Sequence, residues 1–116
     1  MKTIGIGFAT ACKHKTANYR RLSYELLYFQ RDSFKHFEIE DYFGFEHWLL
    51  MTRFQNERIE REHENYYLGK EVIVISLESD PSTYEFFIPN GEFAKIIKEN
   101  KINELFDQYA SYQKKI

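Results

Sequence analysis

Residues 71–91 read EVIVISLESDPSTYEFFIPNG, and the fold turns on this stretch. Val72, Ile73, Val74 and Ile75 are the only run of four β-branched apolar side chains in the chain. Such residues are stiff at χ1 and pack well on a pleated surface, so the run predicts a central strand. Asp80-Pro81-Ser82 supplies turn chemistry, because proline fixes φ and the flanking Asp and Ser side chains can bond nearby backbone. Residues 84–88 then predict the return strand of a hairpin. Pro89-Asn90-Gly91 ends that strand and opens a helical segment.

Upstream, Ile4, Ile6 and Phe8 alternate with Gly5, Gly7 and Ala9, a period of two that predicts a strand over residues 3–10. The glycines stop short of a dinucleotide fingerprint, since its third position is Thr10. Close approach of another backbone accounts better for them. Residues 11–18 are polar and aperiodic and read as a loop. From Asn18, the spacing of Tyr19, Leu22, Leu26 and Phe29 predicts a helix, although a strand through Leu22, Tyr24, Leu26 and Tyr28 fits nearly as well. Residues 34–40 alternate as a half-buried strand, with Phe37 and Ile39 on one face. Gly44 marks a turn, residues 47–54 (HWLLMTRF) read as a strand apolar on both faces, and the charged run 56–65 reads as a strand-and-turn excursion.

After Gly91 two apolar stripes predict two helices, Phe93 with Ile96 and Ile97, then Ile102, Leu105, Phe106, Tyr109 and Tyr112. Asn100 is placed to cap the second, and residues 111–116 are expected to fray. The expected fold is a single α+β domain over residues 1–116. It comprises a mostly antiparallel, curved sheet of five or six strands with C-terminal helices packed against it.

The chain carries 11 Phe, 9 Tyr and 1 Trp, more rings than one small core needs. Some must face solvent, a ligand or a second subunit, so a homodimer is expected. Net charge is −2, but unevenly spread. Residues 1–24 hold Lys2, Lys13, Lys15, Arg20 and Arg21 and no acid, whereas the remainder sums to −7. Such asymmetry can focus an anionic partner on one patch.

One cysteine, Cys12, excludes an internal disulfide and suits a reducing compartment. Residues 9–12 (ATAC) loosely mimic a lipoprotein cleavage site, but the apolar run before them is short for a secretory core. No run approaches the ~20 apolar residues of a membrane span. A cytoplasmic protein without a membrane partner is expected.

Catalytic and metal chemistry find little support. His14, His36, His47 and His63 are scattered, and Cys12 with His14 cannot complete a tetrahedral site, so no metal and no cofactor are expected. Cys12 beside Lys13, His14 and Lys15 lacks a nucleophile signature, and the many carboxylates read as a solvated face. The segment that stands out is 13–24, KHKTANYRRLSY. Lys13, Lys15, Arg20 and Arg21 could hold phosphates while Tyr19 and Tyr24 stack bases, the mixture that single-stranded RNA asks for. The bland alternative packs Tyr19 inward with Leu22 and leaves the cations solvated. Trp48, Arg53, Tyr66 and Tyr67 could extend the surface.

Length, the small-residue opening MKTIGIG, the aromatic β-rich middle and the helical close together resemble the PrgU-like proteins, small regulators of Gram-positive pheromone-responsive conjugative plasmids. The resemblance implies a PUA-like pseudobarrel, a domain type associated with RNA, and restraint of production of a conjugation surface adhesin. It carries over no binding residues. The expected function is that of a non-enzymatic RNA-binding regulator of gene expression. The alternative is a protein-interaction module, such as a homodimeric inhibitor with an aromatic interface.

Overall fold

The computed structural model describes residues 1–17 and 23–115, and for 13–17, 23–32 and 81–82 the backbone alone. The chain is α+β. Strands β1 (Lys2–Ala17), β2 (Ser23–Ile39), β3 (Glu71–Leu77) and β4 (Asp80–Phe87) form one antiparallel sheet in the order β2-β1-β3-β4. Helices α1 (Tyr42–Trp48), α2 (Glu92–Lys98) and α3 (Ile102–Lys114) complete it, with short helical turns between α1 and β3. The sheet is open, with β2 and β4 at its edges.

The VIVI run is buried on both faces. Ile73 and Ile75 join Ile4, Ile6 and Phe8 in the main core, beneath Phe45, Leu49, Phe93 and Leu105 from the three helices and the turn after α1. Val72 and Val74 face the other way with Ala9, Ala11, Ile59 and Phe86 in a smaller core. A strand packed on both sides has no reason to alternate polarity, which is why this run is continuous.

Several expectations are corrected. The sheet has four strands among the described residues, not five or six, because residues 47–54 are helical. Asp41 caps α1 by accepting a hydrogen bond from the Gly44 N–H at 3.0 Å. Tyr42, Phe45 and Trp48 then follow at intervals of three on the buried side. The chain continues as a π-helical turn, Leu49–Arg53. The charged excursion is likewise two 3-10 segments, Gln55–Glu57 and Arg61–Tyr67. Its chain still touches the sheet: the Ile59 N–H donates to the Phe86 carbonyl at 2.8 Å and the Ile88 N–H to the Glu57 carbonyl at 3.0 Å. The outer edge of β4 is thereby covered.

The loop expected over 11–18 is strand through Ala17, and the helix expected from Asn18 is strand from Ser23 onward. Residues 18–22 lie outside the described residues. Asn100 caps nothing; it takes a left-handed φ of 58° in the α2–α3 turn, and Lys101 stands at the N-cap of α3 without a side-chain bond. Helix α3 runs on to Lys114 rather than fraying at Ser111.

Asp41 also ties α1 to α3, because the buried Tyr109 phenol donates to its second oxygen at 2.8 Å. Burial, and then the bond to Asp41, push the Tyr109 pKa up to about 12. An unfolded tyrosine titrates near ~10. The folded state therefore holds this proton more tightly, and the associated stability is complete below pH ~10 and lost as pH rises toward 12. A two-unit gap corresponds to about 2–3 kcal/mol. Urea unfolding between pH 9 and 12 should show Tyr109→Phe losing stability less steeply than the parent. Parallel pH profiles for the two proteins would refute this linkage.

Candidate nucleic-acid interface

Strand β1 pairs with β3 only from Ile4 to Thr10, where Thr10 faces Glu71. One further turn of bonding follows, with the Gly69 N–H donating to the Ala11 carbonyl at 2.7 Å. Gly69 reaches this position with a φ of 78°, a conformation that costs other residues a steric penalty. Beyond Ala11, residues 12–17 of β1 pair only with residues 23–28 of β2. Six residues of strand at ~3.3 Å each make an arm of about 20 Å. The molecule measures 53 × 28 × 23 Å, and its long dimension accords with such an arm. A bulge at Phe8/Ala9 sets the arm's root, since β2 carries an extra residue there and the ribbon bends.

Three of the six predicted binding residues fall on this ribbon. Lys13 stands opposite Leu27, Lys15 opposite Glu25, and Tyr24 opposite Thr16. The two lysine positions thus share the parity of Ala11, while Tyr24 occupies the other parity. Tyr19, Arg20 and Arg21 lie outside the described residues. The ribbon brings Lys13, Lys15 and Tyr24 within three register steps, without setting all three positions on one parity.

The foot of the arm adds residues that the sequence only partly signals. Tyr66 is 69% exposed and meets Tyr67 edge-on at 5.1 Å, while Lys70 Nζ lies 3.7 Å from the Tyr66 ring centre. Nearby, the Arg61 guanidinium lies 4.8 Å from the Tyr84 ring centre and donates to the Tyr84 carbonyl at 3.2 Å. A groove of about 350 Å³ opens beside Tyr66, Tyr67 and His63. Lys70 follows closely on the Tyr66-Tyr67 pair, and that local cation–ring spacing was the available signal. Arg61 came to Tyr84 through tertiary packing and had none.

Trp48 and Arg53 do not extend the surface. Trp48 is buried against Phe45, Tyr109 and Tyr112. Arg53 donates to Gln108 at 3.2 Å, lies 3.8 Å from Glu92 and covers the Phe54 ring.

A second polar cluster is structural in its bonding. Tyr42 donates to Glu46 at 2.6 Å, and burial followed by that bond raises the phenol's pKa well above its usual value. Burial also raises Glu46. Arg58 meets Glu85 through two nitrogens at 2.8 and 3.4 Å, which pins the excursion to the β4 edge. Cys12 is half-buried, with its thiol 3.6 Å from the Thr10 carbonyl. Among the described residues no three metal-ligating side chains cluster, and no helix is long and apolar enough to cross a membrane.

Set against family models, curated proteins and solved structures, the chain matches none.

Proposed function

We propose that the chain is a non-enzymatic regulator that binds single-stranded RNA along the β1–β2 arm and its foot. The observation that supports this most is that residues 12–17, the part of the acid-free opening segment that holds Lys13 and Lys15, form one strand of a ribbon that extends beyond β3. Lys13, Lys15, Arg20 and Arg21 contact phosphates, and Tyr19, Tyr24 and Tyr66 offer ring faces to bases. A strand wrapped across the ribbon can use both parities, so lysine and tyrosine positions on alternate sides are compatible with one bound RNA. Lys70 holds the Tyr66 ring by a cation–π contact, which limits the entropy lost when a base stacks on it.

The test is fluorescence anisotropy with a labelled single-stranded RNA of mixed sequence. The double variant Arg20→Glu/Arg21→Glu should reduce affinity at least tenfold. It should also lower the slope of log affinity against log salt by about 0.7 for each phosphate no longer neutralised. Tyr66→Ala should cost about 1–3 kcal/mol with little change in that slope, because stacking releases no counterions. Wild-type affinity in the double variant would refute the proposal. Should that variant also lose a dimer detected by sedimentation, the arm would belong instead to a protein interface.

A further inference from the structure

A second groove, of about 290 Å³, lies on the opposite side of the sheet from Tyr66, between β1–β2 and the α2–α3 turn. Its floor is apolar: Ile6 and Phe8 from β1, Phe37 from β2, and Ile97 and Ile102 from the helices. Its rim is cationic. Lys35 and Lys98 stand on either side, with Asn100 between the two helices. The Lys35 ammonium donates to the Asn100 amide oxygen, and Lys98 Nζ lies 5.4 Å from the Phe8 ring centre.

Among the described residues no carboxylate lines this groove and neither lysine forms an ion pair. The contrast with the rest of the surface is informative in a chain whose net charge is −2. The groove beside Tyr66 includes Glu60, the one beneath α3 includes Glu38, Glu40 and Asp41, and the one at the start of α2 includes Glu92. Here two ammonium groups border an apolar slot with no counter-charge among the described residues of its wall. An occupant with one anionic end and an apolar body satisfies both features at once.

We propose that this groove binds a medium-length aliphatic carboxylate, with the chain on Phe8, Phe37 and Ile97 and the carboxylate between Lys35 and Lys98. An apolar cavity of ~150 Å³ accepts benzene, so one roughly twice as large takes a chain of about eight to ten carbons. Flexible ammonium groups suit a carboxylate that enters at the rim, since each lysine can swing toward it. The β2 bulge helps to open the slot, because Phe8 and Ser33 form the last pair before β2 bends away. The site shares no residue with the proposed RNA surface, so the two stand or fall separately.

The experiment is calorimetric titration of the full chain with hexanoate, octanoate and decanoate below their micellar concentrations, with octan-1-ol and octyl phosphate as comparators. Binding should saturate at one site and tighten about fourfold per added methylene. Octan-1-ol should bind at least tenfold more weakly than octanoate, and Lys35→Gln/Lys98→Gln should erase that difference. Neither lysine is buried, so an unchanged thermal midpoint verifies that the variant folds. Methyl resonances of Ile6, Ile97 and Ile102 should shift on titration while the Tyr66 ring signals stay still. Equal affinity for acid and alcohol, or undiminished binding by the double variant, would overturn the proposal. Tighter binding of octyl phosphate than octanoate would assign the rim to a phosphate ester and overturn it as well.

Discussion

Replacing Phe93 with Ala should lower the unfolding free energy by about 3–5 kcal/mol. Phe93 is fully buried where α2 meets the sheet. Its ring stacks on Phe54 at 4.9 Å with an interplanar angle of 7°, and meets Phe87 edge-on at 4.6 Å and 87°. It therefore joins the turn after α1, the last residue of β4 and the first turn of α2. Truncation leaves a void among rigid rings that cannot collapse to fill it, which puts the cost at the upper end of the range. A domain of this size has a net stability of about 5–15 kcal/mol, so the loss is a third or more of the total. The Phe93 N–H, which donates to Glu57 at 3.0 Å, is unaffected by the substitution, so the measurement isolates the ring. In urea, with a slope of about 1–3 kcal/mol/M, the midpoint should fall by well over 1 M. Phe93→Leu should recover most of it. A midpoint shift below about 0.5 M would mean that the three rings do not form one packed unit.

Gly7→Val should be nearly as damaging, against what strand preference suggests. Valine favours strands and glycine weakens them by up to ~1 kcal/mol, so propensity alone predicts a gain. At Gly7, however, a Cβ would lie 2.0 Å from the Ser33 carbonyl oxygen and 2.8 Å from the Phe34 Cα. Both obstacles are backbone of β2, next to the bulge, and neither can rotate away. Relief requires β2 to part from β1, at a cost of about 3 kcal/mol or more. Gly5 provides the control, for there the closest atom is the Glu78 carboxylate at 2.3 Å, the far end of a flexible side chain. Gly5→Ala should change stability by less than about 1 kcal/mol. If Gly7→Val proves neutral in a denaturation series, the β1–β2 strands do not approach each other so closely in solution.

These two substitutions bear on the same junction from opposite sides. Phe93 fixes the helical layer on the main core, and Gly7 lets β2 lie close enough to β1 to continue as an arm. The arm matters for the RNA proposal and the helical layer for the carboxylate groove. Neither variant tests those sites directly, but both set the frame that holds them.

The central strand, its hairpin partner and the helical close were fixed by local composition. Four β-branched residues in a row suit only a strand covered on both sides, and Phe93, Ile97, Leu105 and Tyr109 recur at helical spacing. The basic-aromatic segment was equally visible, because charge is a property of the sequence. Residues 42–53 were not legible in this way: their apolar side chains lie on both sides of any short run, and a strand explains them as well as a helix. Packing of Phe45 and Trp48 against Phe106, Tyr109 and Tyr112 of α3 decided it. The arm was hidden for the opposite reason. Residues 12–17 and 23–28 lie beyond the reach of β3, and it is their pairing with each other that makes them strands, a long-range partner that neither segment announces alone. The groove between Lys35 and Lys98 joins residues 63 positions apart in the chain, and only the closing of the helices over the sheet brought those two charges to one rim.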